Sequence, residues 1–369
     1  MNKELRVIIS GGGTGGHIFP AVSIANAIKS LQPDAKILFV GAEGRMEMQR
    51  VPAAGYEIKG LPIEGFDRKN LLRNVKVLYK IWKCQRMARQ IIKDFQPQVA
   101  VGVGGYASGP TLNTAAAMNI PCLIQEQNSY AGVTNKLLAK KAKKICVAYE
   151  GMERFFPKEN IILTGNPVRQ NLLENQMSRE EAIRSFGLNP EKRTILIVGG
   201  SLGARTVNES VMQQLDKIEE SGVQIIWQTG KYYYADINKQ LEGRTLPMLK
   251  IMDFITDMGV AYKAADLVIS RAGASSISEF CLLGKPVILV PSPNVAEDHQ
   301  TKNAMALVNR QAALMVSDAE APAKVIPLAL ETVKDDNLRE QLCQNIRKMA
   351  QPDSANIIAK EVIRLAENS

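Results

Sequence analysis

No Cys-x-x-Cys and no Asp-x-Asp occurs anywhere in the 369 residues. The first absence excludes the usual thiolate zinc sites and dithiol redox centres. The five cysteines, at 84, 122, 146, 281 and 343, are odd in number and scattered. With no signal peptide at the N-terminus, they suit a reducing cytoplasm. The second absence removes the usual carboxylate clamp for a metal-bound diphosphate, so neither a metal nor a cofactor is expected. Long apolar runs are also missing. The longest uncharged stretch, Phe95 to Gln125, is broken by Gly102, Gly104, Gly105, Gly109, Pro110 and Pro121. It reads as strand, loop, short helix and strand, not as a membrane span. Acids are absent from residues 68–93, which hold nine Lys and Arg, and from Lys136–Lys144, which hold five more. Within a net charge of +9 these runs point to an anionic surface, either nucleic acid or phospholipid headgroups. Aromatics make up only 5% of the chain, with Tyr79 and Trp82 alone in 68–93, so bases would find few stacking platforms. No nucleic-acid partner is expected.

What the chain does have is a repeated plan of apolar strand, turn and helix. Strands are predicted over 5–10, 36–40, 98–103, 121–125 and 144–148, then over 194–199, 223–228, 248–252, 266–270, 287–291 and 313–316. Runs apolar on both faces belong in parallel sheets covered by helices on each side. The stretches RVIISGGGTGGHIFPAVSIANAI and TILIVGGSLGARTVNESVMQQL share strand, glycine-rich turn and helix. The fold class is α/β, with two doubly wound Rossmann-like domains facing a cleft. The expected division is 1–166, 167–350 and a last helical segment, 351–369, packing back on the N-terminal domain. Pro20 suits the first turn of the first helix.

Gly11-x-Gly13-x-x-Gly16 matches the dinucleotide fingerprint in form, and its amides and helix N-terminus would favour a phosphate. The acid that should follow the second strand is poorly placed, with Glu43 three residues beyond the apolar part. A second glycine turn, Gly199 to Ala204, includes Ser201, whose hydroxyl could add a phosphate contact. Two phosphate-cradling turns suggest two phosphorylated ligands, where one redox cofactor would need one turn. A plain βα turn without ligand is the alternative. The stretch 266–303 delivers Arg271 from a buried strand, then a tight turn at Gly273 and Ala274 into a helix bearing Glu279, and later Asp298, His299 and Gln300. Glu279 could accept both hydroxyls of a ribose, or be a solvated helix residue.

This last stretch resembles the nucleotide-sugar signature of the GT-B glycosyltransferases. With GGGTGGHIFPA, GVGGYASGP, QEQNSYAGVTNK, TGNPVR and GGSLGAR in order from about residue 5 to 310, the chain is similar to the inverting N-acetylglucosaminyltransferases of peptidoglycan synthesis. The resemblance implies transfer from UDP-N-acetylglucosamine to undecaprenyl-diphosphate-linked muramyl-pentapeptide, by a peripheral enzyme on the cytoplasmic face of the bacterial inner membrane. It implies that Ile255 contacts uracil and Glu279 the ribose, with Ser201 and the turn at Ala274 on the diphosphate. Asn128, Arg169 and Gln300 complete the donor site, with Thr14, Gly15 and Gly16 near the sugar. Gly12, Gly13, Gly104, Gly105 and Tyr106 would receive the acceptor diphosphate. Two positions depart from the family pattern: Gln125 stands where a histidine is common, and His299 where some members carry glutamine. His17 is a candidate general base, since an imidazole titrates near ~6.5. Its alternative role is an uncharged donor that positions a phosphate or a loop, and Glu126 is the rival base. Another GT-B transferase or a UDP-sugar epimerase would also need such a nucleotide-sugar half. Residues Leu71, Leu72, Val75, Leu78, Tyr79 and Trp82 fall on one helical stripe among Lys69, Arg73, Lys76, Lys80 and Lys83, a candidate contact with an anionic membrane.

Overall fold

Among the described residues, thirteen strands form two separate, wholly parallel sheets. The computed structural model describes residues 4–63, 73–168, 172, 176–200 and 202–368; the side chains of residues 73–81 and 296 lie outside that description. Two units divide the chain: residues 1–169 with 351–369, and residues 170–350.

The first unit runs β1 (Arg6–Ser10), α1 (Gly15–Leu31), β2 (Lys36–Ala42), α2 (Glu47–Ala53), β3 (Glu57–Leu61), α3 (Arg73–Phe95), β4 (Val99–Gly102), α4 (Ser108–Ala117), β5 (Cys122–Glu126), α5 (Val133–Leu138), β6 (Lys144–Val147) and β7 (Ile161–Leu163). Its strand order is β3-β2-β1-β4-β5-β6-β7. Val7 and Ile9 pack to one side with Ile18, Ile24 and Ile28 of α1, while Ile8 packs to the other with Leu112 and Ile124. Alternate side chains of a strand leave opposite faces, so a strand covered on both sides must be apolar throughout.

The second unit runs α6 (Arg179–Ser185), β8 (Thr194–Val198), α7 (Arg205–Gln213), α8 (Leu215–Ser221), β9 (Gln224–Gln228), α9 (Tyr234–Gln240), β10 (Leu249–Met252), α10 (Met258–Ala264), β11 (Leu267–Ser270), α11 (Ala274–Leu283), β12 (Val287–Leu289), α12 (His299–Val308), β13 (Leu314–Met315), α13 (Ala321–Lys334) and α14 (Asp336–Arg347). Its order is β10-β9-β8-β11-β12-β13. The last helix, α15 (Ser354–Glu367), belongs to the first unit. Ala355, Ile358, Ala359 and Val362 make its buried stripe against the core that holds α1. Ile358 and Val362, fully buried, contribute about 1.5–3 kcal/mol each.

Both orders reverse beside the first strand, and such switch points are where open α/β sheets bind ligands. Register does the positioning. Ser10 pairs with Gly102, and Val198 with Ser270. The loops after β1 and β4, and those after β8 and β11, therefore leave their sheets side by side. Pro20 stands one turn later than expected, because α1 begins at Gly15. Lacking an N–H, it leaves the Gly16 carbonyl without its helical donor.

Candidate active site

The first switch point is built from bare backbone in contact with bare backbone. Gly105 has φ +86°, and a Cβ there would lie 2.4 Å from the Gly12 carbonyl oxygen. Gly12 in turn lies against a side chain from elsewhere, since its Cβ would fall 2.2 Å from Cδ of Glu47. The Glu47 carboxylate is 1% exposed and accepts hydrogen bonds from Gly13 N (2.8 Å) and Ala42 N (3.0 Å). Ser108 Oγ, also buried, donates toward the Ser10 carbonyl (2.6 Å) and the Gly104 carbonyl (3.0 Å). Much of the glycine content thus serves the close stacking of two loops over a buried carboxylate. Beyond it, Gly13 and Thr14 are exposed, and α1 starts with neither a side-chain cap nor an acid in its first turn. A 17-residue helix ending this way favours an anion at its N-terminus. Tyr106 stands half exposed beside the second loop.

His17 lies in the first turn of α1 with Gly104 beneath its ring, where a Cβ would come within 2.9 Å of Cε1. Its Nδ1 is 3.0 Å from Oε1 of Gln127. Gln127, Gln125 and Asn166, all at most 3% exposed, form a connected set of amides behind it. Glu126 points elsewhere. Its Oε1 accepts from Asn128 N (3.0 Å) and Nδ2 (3.3 Å), and its Oε2 from Gly132 N and Asn135 Nδ2 (both 2.9 Å). Four N–H donors on a carboxylate 1% exposed fold the 126–135 loop around it.

In the second unit the Gly199–Ala204 turn meets the loop after β9. A Cβ on Gly230 would lie 2.1 Å from Gly203 N, so both positions must remain glycine. Gln228 bridges the turn to the next segment: its Nε2 donates to Gly200 O (3.0 Å), and its Oε1 accepts from Ile255 N (2.9 Å). Ile255 is buried. Glu279 is 5% exposed, which removes the solvated reading, and Tyr262 OH donates to its Oε2 at 2.8 Å. Ala274 opens α11 after Gly273, with no side-chain cap and no acid in the first turn. Arg271 is held inside the unit. It donates to Val290 O (3.1 Å), Pro291 O (3.3 Å), Asp318 and Thr206 Oγ1 (3.0 Å), fastening the strand ends to the start of α7. Gln300 Oε1 accepts from Ser292 N at 2.9 Å. It sits in the first turn of α12 behind Glu297 and Asp298, whose φ values of +58° and +51° are unusual for residues other than glycine. Ser201 and Arg169 lie outside the described residues. Among the described residues, no group of three or more His, Cys, Asp or Glu could hold a metal ion.

Residues 7–147 match the glycosyltransferase family 28 N-terminal domain, and residues 194–360 match the glycosyltransferase family 28 C-terminal domain. The chain belongs to glycosyltransferase family 28. The first matched segment of this family 28 chain carries β1 to β6 and the second carries β8 to β13, each with one of the two glycine-loop clusters. A protein of Phocaeicola vulgatus is 70% identical over 100% of this chain and 98% of its own length. One of Bacteroides thetaiotaomicron is 68% identical over 100% and 99%. Both are named UDP-N-acetylglucosamine–N-acetylmuramyl-(pentapeptide) pyrophosphoryl-undecaprenol N-acetylglucosamine transferase. The crystal structure of Acinetobacter baumannii MurG is 28% identical, with a TM-score of 0.77 over 98% of this chain and 99% of that one. The two Rossmann-like α/β units are those of a GT-B glycosyltransferase.

Four residues of this family 28 site were not singled out in the sequence. Glu47 is an acid following a turn, and only Glu43, four residues earlier and exposed, was weighed there and found poorly placed. Gln127 and Gln228 are neutral amides whose partners are 110 and 27 residues away in the chain. Gly230 carried a readable signal, since an isolated glycine directly after a buried strand marks a close backbone approach.

Proposed function

We propose that this chain transfers N-acetylglucosamine from UDP-N-acetylglucosamine to undecaprenyl-diphosphate-linked N-acetylmuramyl-pentapeptide, with inversion at the anomeric carbon. The observation that carries the reading is the 70% identity, across the whole chain, to a relative named for that transfer. The first unit supplies the acceptor site. The loops of Gly12, Gly13, Gly104 and Gly105 with Tyr106 take the acceptor diphosphate, Gly13 and Tyr106 being their exposed part, while Thr14, Gly15 and Gly16 lie near the donor sugar at the N-terminal dipole of α1. His17 removes the proton of the acceptor sugar hydroxyl as its oxygen attacks. Glu126 is the loop's organiser in this scheme, because protonating it would weaken four hydrogen bonds that its charge strengthens. Asn128 is set by that same carboxylate. The second unit holds the nucleotide, with Ile255 at uracil, Glu279 at the ribose, Ser201 and the Ala274 turn at the diphosphate and Gln300 as a further contact, and Asn128 and Arg169 of the first unit complete the donor site. Helix N-termini and loop amides stabilise the charge on departing UDP. Given UDP-N-acetylglucosamine labelled in the sugar and a short-chain lipid acceptor, the chain should move label into a lipid-extractable product. Label that stays on the nucleotide, as an epimerase would leave it, contradicts the reading.

We also propose that the basic α3 region docks on the anionic cytoplasmic leaflet. Among the described residues no helix is long and apolar enough to cross a membrane. Of the stripe expected along α3, Leu71 and Leu72 lie outside the described residues, as do the side chains of Val75, Leu78 and Tyr79. Trp82 is 52% exposed with Arg86 over its ring, while Cys84, Ala88 and Ile92 turn to the core. Helix α4 packs against both α3 and α5, and α5 exposes Val133 and Leu137 beside Lys140 and Lys141. Exposed apolar side chains among lysines suit an interfacial contact, each cation adding about 1 kcal/mol near anionic lipid. Reversing Lys76, Lys80 and Lys83 to glutamate should release the protein from anionic vesicles in co-sedimentation while UDP affinity holds. Unchanged co-sedimentation of the triple variant would assign the contact elsewhere.

A further inference from the structure

We propose that Gln127 is a positioning residue that fixes the tautomer of His17, placing the proton on Nδ1 and the lone pair on Nε2. The inference rests on the reading of His17 as the base, and it concerns which nitrogen does the work. The orientation of the Gln127 amide follows from its other contacts. Nε2 donates to the Val103 carbonyl at 2.8 Å and to Oε1 of Gln125, and the carbonyl can only accept. The amide oxygen is thereby turned toward His17 Nδ1, 3.0 Å away, and an acceptor there requires an N–H on that nitrogen. The amide cannot flip without breaking the set behind it. Gln125 Nε2 donates to Asn166 Oδ1 and Asn166 Nδ2 donates to the backbone carbonyl of Gln127, both at 2.9 Å, so that fixed acceptor sets Asn166, Asn166 sets Gln125, and Gln125 sets the Gln127 amide. The buried groups leave no solvent to replace those bonds. Ring rotation is limited as well, because the imidazole lies against the Gly104 backbone.

Every member of this relay other than His17 is a neutral amide or a backbone carbonyl. The carboxylates on the surrounding elements, Glu47 on α2 and Glu126 at the end of β5, are committed to Gly13 and Ala42 and to Asn128, Gly132 and Asn135. With the proton of the neutral ring on Nδ1, the lone pair of Nε2 is placed for one proton transfer. The acceptor hydroxyl gives its proton to Nε2, its oxygen bonds to the anomeric carbon, and the carbon–oxygen bond to UDP breaks with its electron pair leaving on UDP.

The chain has two histidines, so a spectrum of protein labelled with 15N-histidine shows two rings, and His17→Ala identifies His17 by its loss. Above the titration of the ring, the wild-type His17 signal should be the Nδ1–H form. Gln127→Leu should shift it toward Nε2–H and lower kcat at least about 10-fold, leaving the KM for UDP-N-acetylglucosamine unchanged. An Nε2–H signal in the wild type overturns the proposal, whether or not the variant folds. A Gln127→Leu variant with unaltered tautomer and kcat does the same. Normal turnover in His17→Ala would instead remove His17 as the base, a separate result from a separate protein.

Discussion

Replacing His17 with alanine should lower kcat by about 10²–10⁴-fold, the usual contribution of a positioned general base. Donor affinity should change little, because the residues assigned to uracil, ribose and the UDP diphosphate lie in the other unit. The deficit should appear in single-turnover measurements, where product release plays no part. Structural damage is an improbable source, since the side chain is only partly buried and its removal leaves Gly104 and Gln127 with room, not with a clash. Near-normal turnover of the variant from about pH 6 to 9 would return the proton to Glu126 despite its four hydrogen bonds.

Glu279→Ala should weaken UDP binding by about 10- to 150-fold, measured by calorimetry. A hydrogen bond to a charged group is worth about 1.5–3 kcal/mol, and a ribose offers two donors to one carboxylate. Burial at 5% exposure keeps water from substituting for it. The alanine variant also strips Tyr262 of its acceptor, so Glu279→Gln serves as the control: it retains an oxygen for Tyr262 and loses the charge and one acceptor oxygen. The glutamine variant should fall between the wild type and the alanine variant. Equal affinity for UDP in all three proteins, or wild-type binding of ATP or NADH as tight as that of UDP, would break the donor assignment.

Central strands were legible because burial on both faces demands unbroken apolar runs, as in 194–199, observed as β8 (Thr194–Val198). The two missed strands are the edges of the first sheet. Glu57 and Lys59 give β3 a polar face, and β7 is three residues long, too short for a pattern. The glycine loops were legible as loops, but their sequence carried no measure of how much bare backbone goes to ligand and how much to packing. Gly12 and Gly13 show the mixture: the first lies against Glu47, and the second donates its N–H to the same carboxylate while opening to solvent. Glu126 was equally legible as a chemically potent residue. Its four hydrogen-bond donors, two of them backbone amides, were not. Side chains whose role depends on a partner far along the chain, such as Gln127 with Val103 and His17, leave no local periodicity or spacing to find.

The central claim is a single inverting displacement at the anomeric carbon, and the configuration of the new bond reads it directly. Wild-type protein would be given UDP-N-acetylglucosamine carrying 13C at the anomeric position together with the lipid-linked muramyl-pentapeptide, and the labelled carbon followed by NMR. The account predicts that the α-linked donor signal is replaced by a β-linked signal on the lipid product as UDP is released. An α-linked product, or no lipid-linked product with an acceptor that a known transferase consumes, would contradict it.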